Sequence, residues 1–178
     1  MNMVGIRHGW RIAGWSLAGA ILAAPLVAMR FGNGVNWTLS DFIVAGALLG
    51  ITGLAFEGIV ATSSNRIFRA AAALGLLTAL VSIWATLAVG IIGDEGNPLN
   101  AVYPAVIAIA AAGVWVSRLE AKGMARAIGA TAVAQALVTV FALPAGLATF
   151  VINVILVTCW LLVAVLFRST ARTELFRR

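Results

Sequence analysis

Read from its first residue, the chain is a succession of long apolar runs separated by short polar breaks. A bilayer core about 30 Å thick is crossed by about 20 residues of helix, because lipid cannot hydrogen-bond a backbone and a helix satisfies its own groups. Six segments meet that demand: Ile12–Met29, Leu39–Ala61, Ala70–Ile92, Asn100–Ser117, Ala127–Leu143 and Leu147–Phe167. The stretch Ala127–Phe167 carries no charge, and Pro144-Ala145-Gly146 divides it into a tight hairpin. The expected fold is all-α, one integral membrane domain over residues 1–178 with six transmembrane helices joined by short connections, so that successive helices are antiparallel neighbours.

Charge then orients the bundle. Arg7, Arg11, Arg66, Arg69, Arg118, Lys122, Arg126, Arg168, Arg172, Arg177 and Arg178 fall on one side of six crossings, and Arg30 alone on the other. The positive-inside rule makes the crowded side cytoplasmic, with both termini inside and residues 168–178 forming a basic cytoplasmic tail. Adding or deleting one crossing would scatter the later charges over both faces. Asp41, Asp94 and Glu95 take the outer face, with Trp37 and Tyr103 in an outer aromatic belt and Trp10, Trp115 and Phe167 in an inner one. The first run resembles a secretory signal, with Arg7, His8 and Arg11 ahead of it and Ala23-Ala24 behind, but its length reads better as a retained first helix. The expected location is a bacterial inner (plasma) membrane.

Composition closes off other classes. Of the 178 residues, 62% are hydrophobic and 10% charged, far from the balance of a water-soluble domain. Disorder fails for lack of charge, a disulfide framework because Cys159 is the one cysteine, and a Cys/His zinc site because His8 is the one histidine. The net charge of +6 serves topology and anionic headgroups, and no folded reading element for nucleic acid accompanies it. Small residues recur at spacing four in Gly46/Gly50 with Gly53, Ala71/Gly75, Ala108/Ala112 and Ala132/Ala136, where helix backbones can approach closely.

Few residues bear chemistry. Glu57 is the acidic residue placed within a span, one turn from the cytoplasmic end of the second helix. It either reaches headgroups or pairs with Arg66, Arg69 or Arg126 near the interface, or acts as a proton- or cation-responsive carboxylate in the bundle interior. Gln135 and Asn153 bond between helices or line a polar path. On the outer face, Asp41 and Asn100 serve as helix caps, and Asp94, Glu95, Asn97 and Asn100 gather oxygen ligands in the turn from Gly93 to Asn100. That turn lacks EF-hand spacing, and reads either as a site for a cation or polar ligand or as a well-capped loop. No catalytic set, metal site or cofactor motif is found, and an enzyme is not expected.

The turn Val89-Gly90-Ile91-Ile92-Gly93-Asp94-Glu95-Gly96-Asn97-Pro98-Leu99-Asn100, together with Trp37–Phe42, Gly123–Ala127 and Ala130–Leu137, resembles an uncharacterised family of small bacterial multi-pass integral membrane proteins. The likeness runs from Trp37 to about Leu143. It implies a bacterial membrane location and brings no activity, ligand or site residue with it. Transport or permeation of an ion or small solute is the favoured function. The alternative is a non-catalytic accessory or assembly subunit of a membrane complex, with a second copy or another membrane protein as partner besides the bilayer and its anionic headgroups.

Overall fold

The computed structural model describes residues 3–32 and 34–175, with side chains from residue 9 to residue 173 apart from Asn33. Arg177 and Arg178 lie outside the described residues, as do the side chains of Arg7 and His8. Among the described residues there are six α-helices and no strand: α1 (Met3–Arg30), α2 (Leu39–Thr62), α3 (Arg66–Ala88), α4 (Val102–Ser117), α5 (Ala121–Phe141) and α6 (Leu147–Leu175). Short 3₁₀ turns, Pro98–Ala101 and Leu143–Ala145, precede α4 and α6. All six helices contain or join a segment long and apolar enough to cross a membrane.

The chain divides after Glu57 into two compact units. The first holds α1 and most of α2, and Ala45 is the one buried side chain among those described in it. Two local devices build it. A capping box starts α2: the Thr38 N–H and hydroxyl donate to Asp41 Oδ2 at 2.7 and 2.8 Å. Further along, Gly53 lets the Trp15 indole approach α2 closely, since a Cβ there would stand 3.1 Å from the ring. Gly46 meets Leu22 at ordinary contact distance, whereas Gly50 meets nothing, so the small-residue stripe of α2 is used in part.

The second unit is an antiparallel bundle in which α3, α4, α5 and α6 are neighbours in ring order. Helix α6 packs against both α5 and α3, α4 packs on α5, and α3 and α4 touch least. Its start is fixed by Asn65, whose Oδ1 accepts from the N–H groups of Ile67 and Phe68, and by Arg69, which donates to the carbonyls of Ser63 and Val60. Close approach of α4 and α5 depends on Gly113, where a Cβ would lie 2.6 Å from that of Ala127. The predicted Ala108/Ala112 seam is not used, as both alanines are exposed and the buried face of α4 is Tyr103, Val106 and Ala110.

Helix α3 ends at Ala88, four residues before the end of its apolar run at Ile92. The helix stops because Gly90 takes φ +70° and closes it with an N–H bond to Ala85, after which Gly93 turns at φ +73°. Ile91 and Ile92 are buried all the same, in the loop. Tyr103 and Phe167 likewise depart from their expected aromatic belts, for both are buried in the bundle.

Candidate functional site

The core of the second unit has two halves of different character. Toward the end that carries Arg66, Lys122 and Arg172 it is apolar, with Phe68, Met124, Ile128, Trp160, Val163 and Phe167 packed together. Phe68 and Phe167 meet edge to face at 5.0 Å. Toward the Gly90–Asn100 loop the interior is uncharged and polar. Helix α3 buries Thr78, Ser82 and Thr86, and α5 buries Thr131, Gln135 and Thr139, each set recurring every four residues on one helical face. Gly75, on the same stripe of α3, packs against Val163 of α6, so this polar face of α3 is turned to α6.

Asn153 is the centre of that half. Its Oδ1 accepts from Gln135 Nε2 at 2.8 Å and from the Tyr103 hydroxyl at 3.3 Å. Its Nδ2 donates to Tyr103 Oη at 3.0 Å and to the Thr149 carbonyl at 2.8 Å. Gln135, Asn153 and Tyr103, from α5, α6 and α4, are all fully buried. The Thr149 hydroxyl carries the network on to the Ile91 carbonyl at 2.8 Å, tying the start of α6 to the loop. Three buried side-chain atoms find no partner among the described groups: Ser82 Oγ, Gln135 Oε1 and Trp160 Nε1.

The loop itself is stapled by Asn100. Oδ1 accepts from the N–H groups of Ile91 and Ile92 at 3.0 and 2.8 Å, and Nδ2 donates to the carbonyls of Ile92 and Asp94 at 3.2 and 2.7 Å. Asn97 Oδ1 is spent in the same way on the Leu99 N–H. Of the oxygen ligands gathered by the sequence, the carboxylates of Asp94 and Glu95 are left exposed, while the amides face the backbone. Asp41 is engaged with Thr38, in the first unit. No group of three or more His, Cys, Asp or Glu side chains is disposed to hold a metal among the described residues.

Glu57 belongs to the first unit and to a different arrangement. Arg11 donates to both of its oxygens, Nε to Oε1 at 2.9 Å and Nη2 to Oε2 at 2.7 Å, and Trp15 Nε1 adds a third bond at 2.9 Å. The partner is therefore Arg11 of α1, where the sequence suggested Arg66, Arg69 or Arg126. A bidentate guanidinium satisfies a carboxylate with two parallel charge-assisted bonds, so Glu57 sits neutralised beside a small cleft of about 100 Å³ lined by Trp10, Trp15 and Phe56.

No protein-family model, curated protein or solved structure matches this chain.

Sequence reasoning found Gln135 and Asn153 but treated them separately, and it missed the hydroxyl ladder around them. The signal was present as Thr78, Ser82 and Thr86, and as Thr131, Gln135 and Thr139, spaced by four within apolar windows. It is a weak signal, because a threonine in a helix satisfies itself on the carbonyl four residues back. Exposed Thr158 does so on Val154 exactly as buried Thr139 does on Gln135.

Proposed function

We propose that this chain is a multi-pass inner-membrane protein of bacterial type, with cytoplasmic termini, that moves a small polar solute or ion through its α3–α6 bundle. The observation that carries this reading is the uncharged polar interior with its two unpartnered atoms, Ser82 Oγ and Gln135 Oε1. Polar side chains between helices in a bilayer return only about 0.6 to 2 kcal/mol per hydrogen bond, and each orphaned buried group costs about 1 to 3 kcal/mol. Packing alone accounts for a small residue such as Ser82 at a close seam, but it has no use for a buried amide oxygen left unpaired, as at Gln135. Polar groups that the protein does not satisfy are instead suited to a passenger that does. The apolar cluster around Phe68, Trp160 and Phe167 closes the seam at the basic end, so passage requires those rings to shift. Glu57 does not carry the reading, since Arg11 already neutralises it.

The test is flux into proteoliposomes over a panel of monovalent cations, anions and small neutral solutes. One member of the panel is expected to enter well above protein-free vesicles, and Gln135→Leu to lower its rate at least tenfold while the protein elutes and melts as before. Rates equal to protein-free vesicles across the panel refute the proposal.

The accessory reading has one observation in its favour. In the first unit every described side chain but Ala45 is exposed or half-buried and most are apolar, a surface that lipid or a partner helix would cover. Mass spectrometry of the protein purified from its native membrane in mild detergent tests it: a stoichiometric second protein supports an accessory subunit, and a lone homo-oligomer opposes it.

A further inference from the structure

We infer that the interior site selects a potassium- or ammonium-sized monovalent cation and rejects anions, an inference that rests on the permeation reading and names its substrate class. It follows from a balance of donors and acceptors in the buried polar half. A hydroxyl has one proton and two lone pairs. Thr78, Thr86 and Thr139 each spend that proton on their own helix, donating to the carbonyls of Leu74, Ser82 and Gln135 at 2.8, 2.8 and 2.9 Å. What these threonines retain is oxygen lone pairs. Gln135 Oε1 is a further acceptor with no donor, held by an amide whose Nε2 is anchored on Asn153. Against these, the unspent donors of this half are the Ser82 hydroxyl and the second proton of Gln135 Nε2, while the Trp160 N–H lies in the apolar cluster.

Charge sharpens the balance. The buried polar residues of this unit are Thr, Ser, Asn and Gln, with no Lys, Arg or His among those described to draw an anion out of water. Nor is there a buried Asp or Glu, and a divalent ion stripped of its hydration would need carboxylates to replace it. Neutral oxygens replace the hydration shell of a large monovalent cation at far lower cost. Ammonium adds directional N–H groups for the same lone pairs.

Two measurements separate this inference from the permeation reading. The first is the melting temperature of the detergent-purified protein as ammonium chloride or thallium(I) nitrate replaces the choline salt of the same anion at constant ionic strength. The second is thallium(I) influx, beside nitrate and urea influx, in proteoliposomes. A saturable rise in melting temperature of a few degrees, lost in Gln135→Leu, with thallium influx and no nitrate influx, is the expected result. Nitrate or urea influx with neither thallium influx nor a cation-dependent shift overturns the cation assignment and leaves permeation standing. A Gln135-dependent shift without influx of any probe supports the cation site and overturns permeation, while the absence of both shift and influx overturns the two together. Thr139→Val, which keeps the shape of the side chain and removes one of the acceptor oxygens, takes the place of Gln135→Leu if that variant is not recovered. It is expected to weaken the cation-dependent shift, and an unchanged shift in a folded Thr139→Val protein would overturn the acceptor set.

Discussion

Asn100→Ala measures how far the loop after α3 depends on one side chain. The amide makes four hydrogen bonds, all to backbone groups between Ile91 and Asp94. Asp94 O keeps a second donor in the Asn97 N–H, so its loss is minor. The N–H groups of Ile91 and Ile92 have no such reserve and belong to buried residues. Each orphaned buried donor costs about 1 to 3 kcal/mol, and rearrangement of the loop toward water recovers part of it, so a loss of about 3 kcal/mol is expected. The assay is equilibrium unfolding in mixed micelles by titration with a denaturing detergent, followed by circular dichroism. Asn100→Asp, which keeps the acceptor and forfeits the donor bonds, should fall between Ala and the parent. An Ala variant within about 0.5 kcal/mol of the parent would refute the staple, because that is the range of a surface substitution with no structural role.

Gly90→Ala should destabilise the same loop by at least about 2 kcal/mol in the same assay, since a Cβ there would lie 2.1 Å from the Asp94 carbonyl oxygen and φ is +70°. Gly113→Leu forces α4 from α5 against the Ala127 side chain and should cost about 1 to 3 kcal/mol or more, read as a lowered melting temperature. In the first unit, Gly53→Leu should dislodge the Trp15 indole and so cost less in a Trp15→Ala background than in the parent; equal losses from Gly53→Leu in both backgrounds would show that the two do not meet. Asp94→Asn with Glu95→Asn should leave the melting temperature unchanged, because both carboxylates are exposed, and calorimetric titration with calcium should show no difference from the parent.

The number of helices and the segments that make them were legible in the sequence, for a physical reason: length and apolarity are local properties, and a bilayer imposes one solution on a backbone it cannot hydrogen-bond. The break at Pro144 was legible on the same grounds. The end of α3 was not, because Ile91 and Ile92 are as apolar as a span. Only the tertiary structure shows them buried in a loop that Gly90 opens and Asn100 closes. Partnership was the other thing decided late. Glu57 was visible as an acidic residue in an apolar helix, yet its choice of Arg11, 46 residues away, depends on how α1 meets α2. Gln135 and Asn153 were visible as single amides, and their meeting with Tyr103 required three helices to present one face each to a common interior. Local chemistry determined which segments are long and apolar enough to cross a membrane; the rotation of each helix about its own axis, which no single segment encodes, decided which of its polar atoms meet and which are left without a partner.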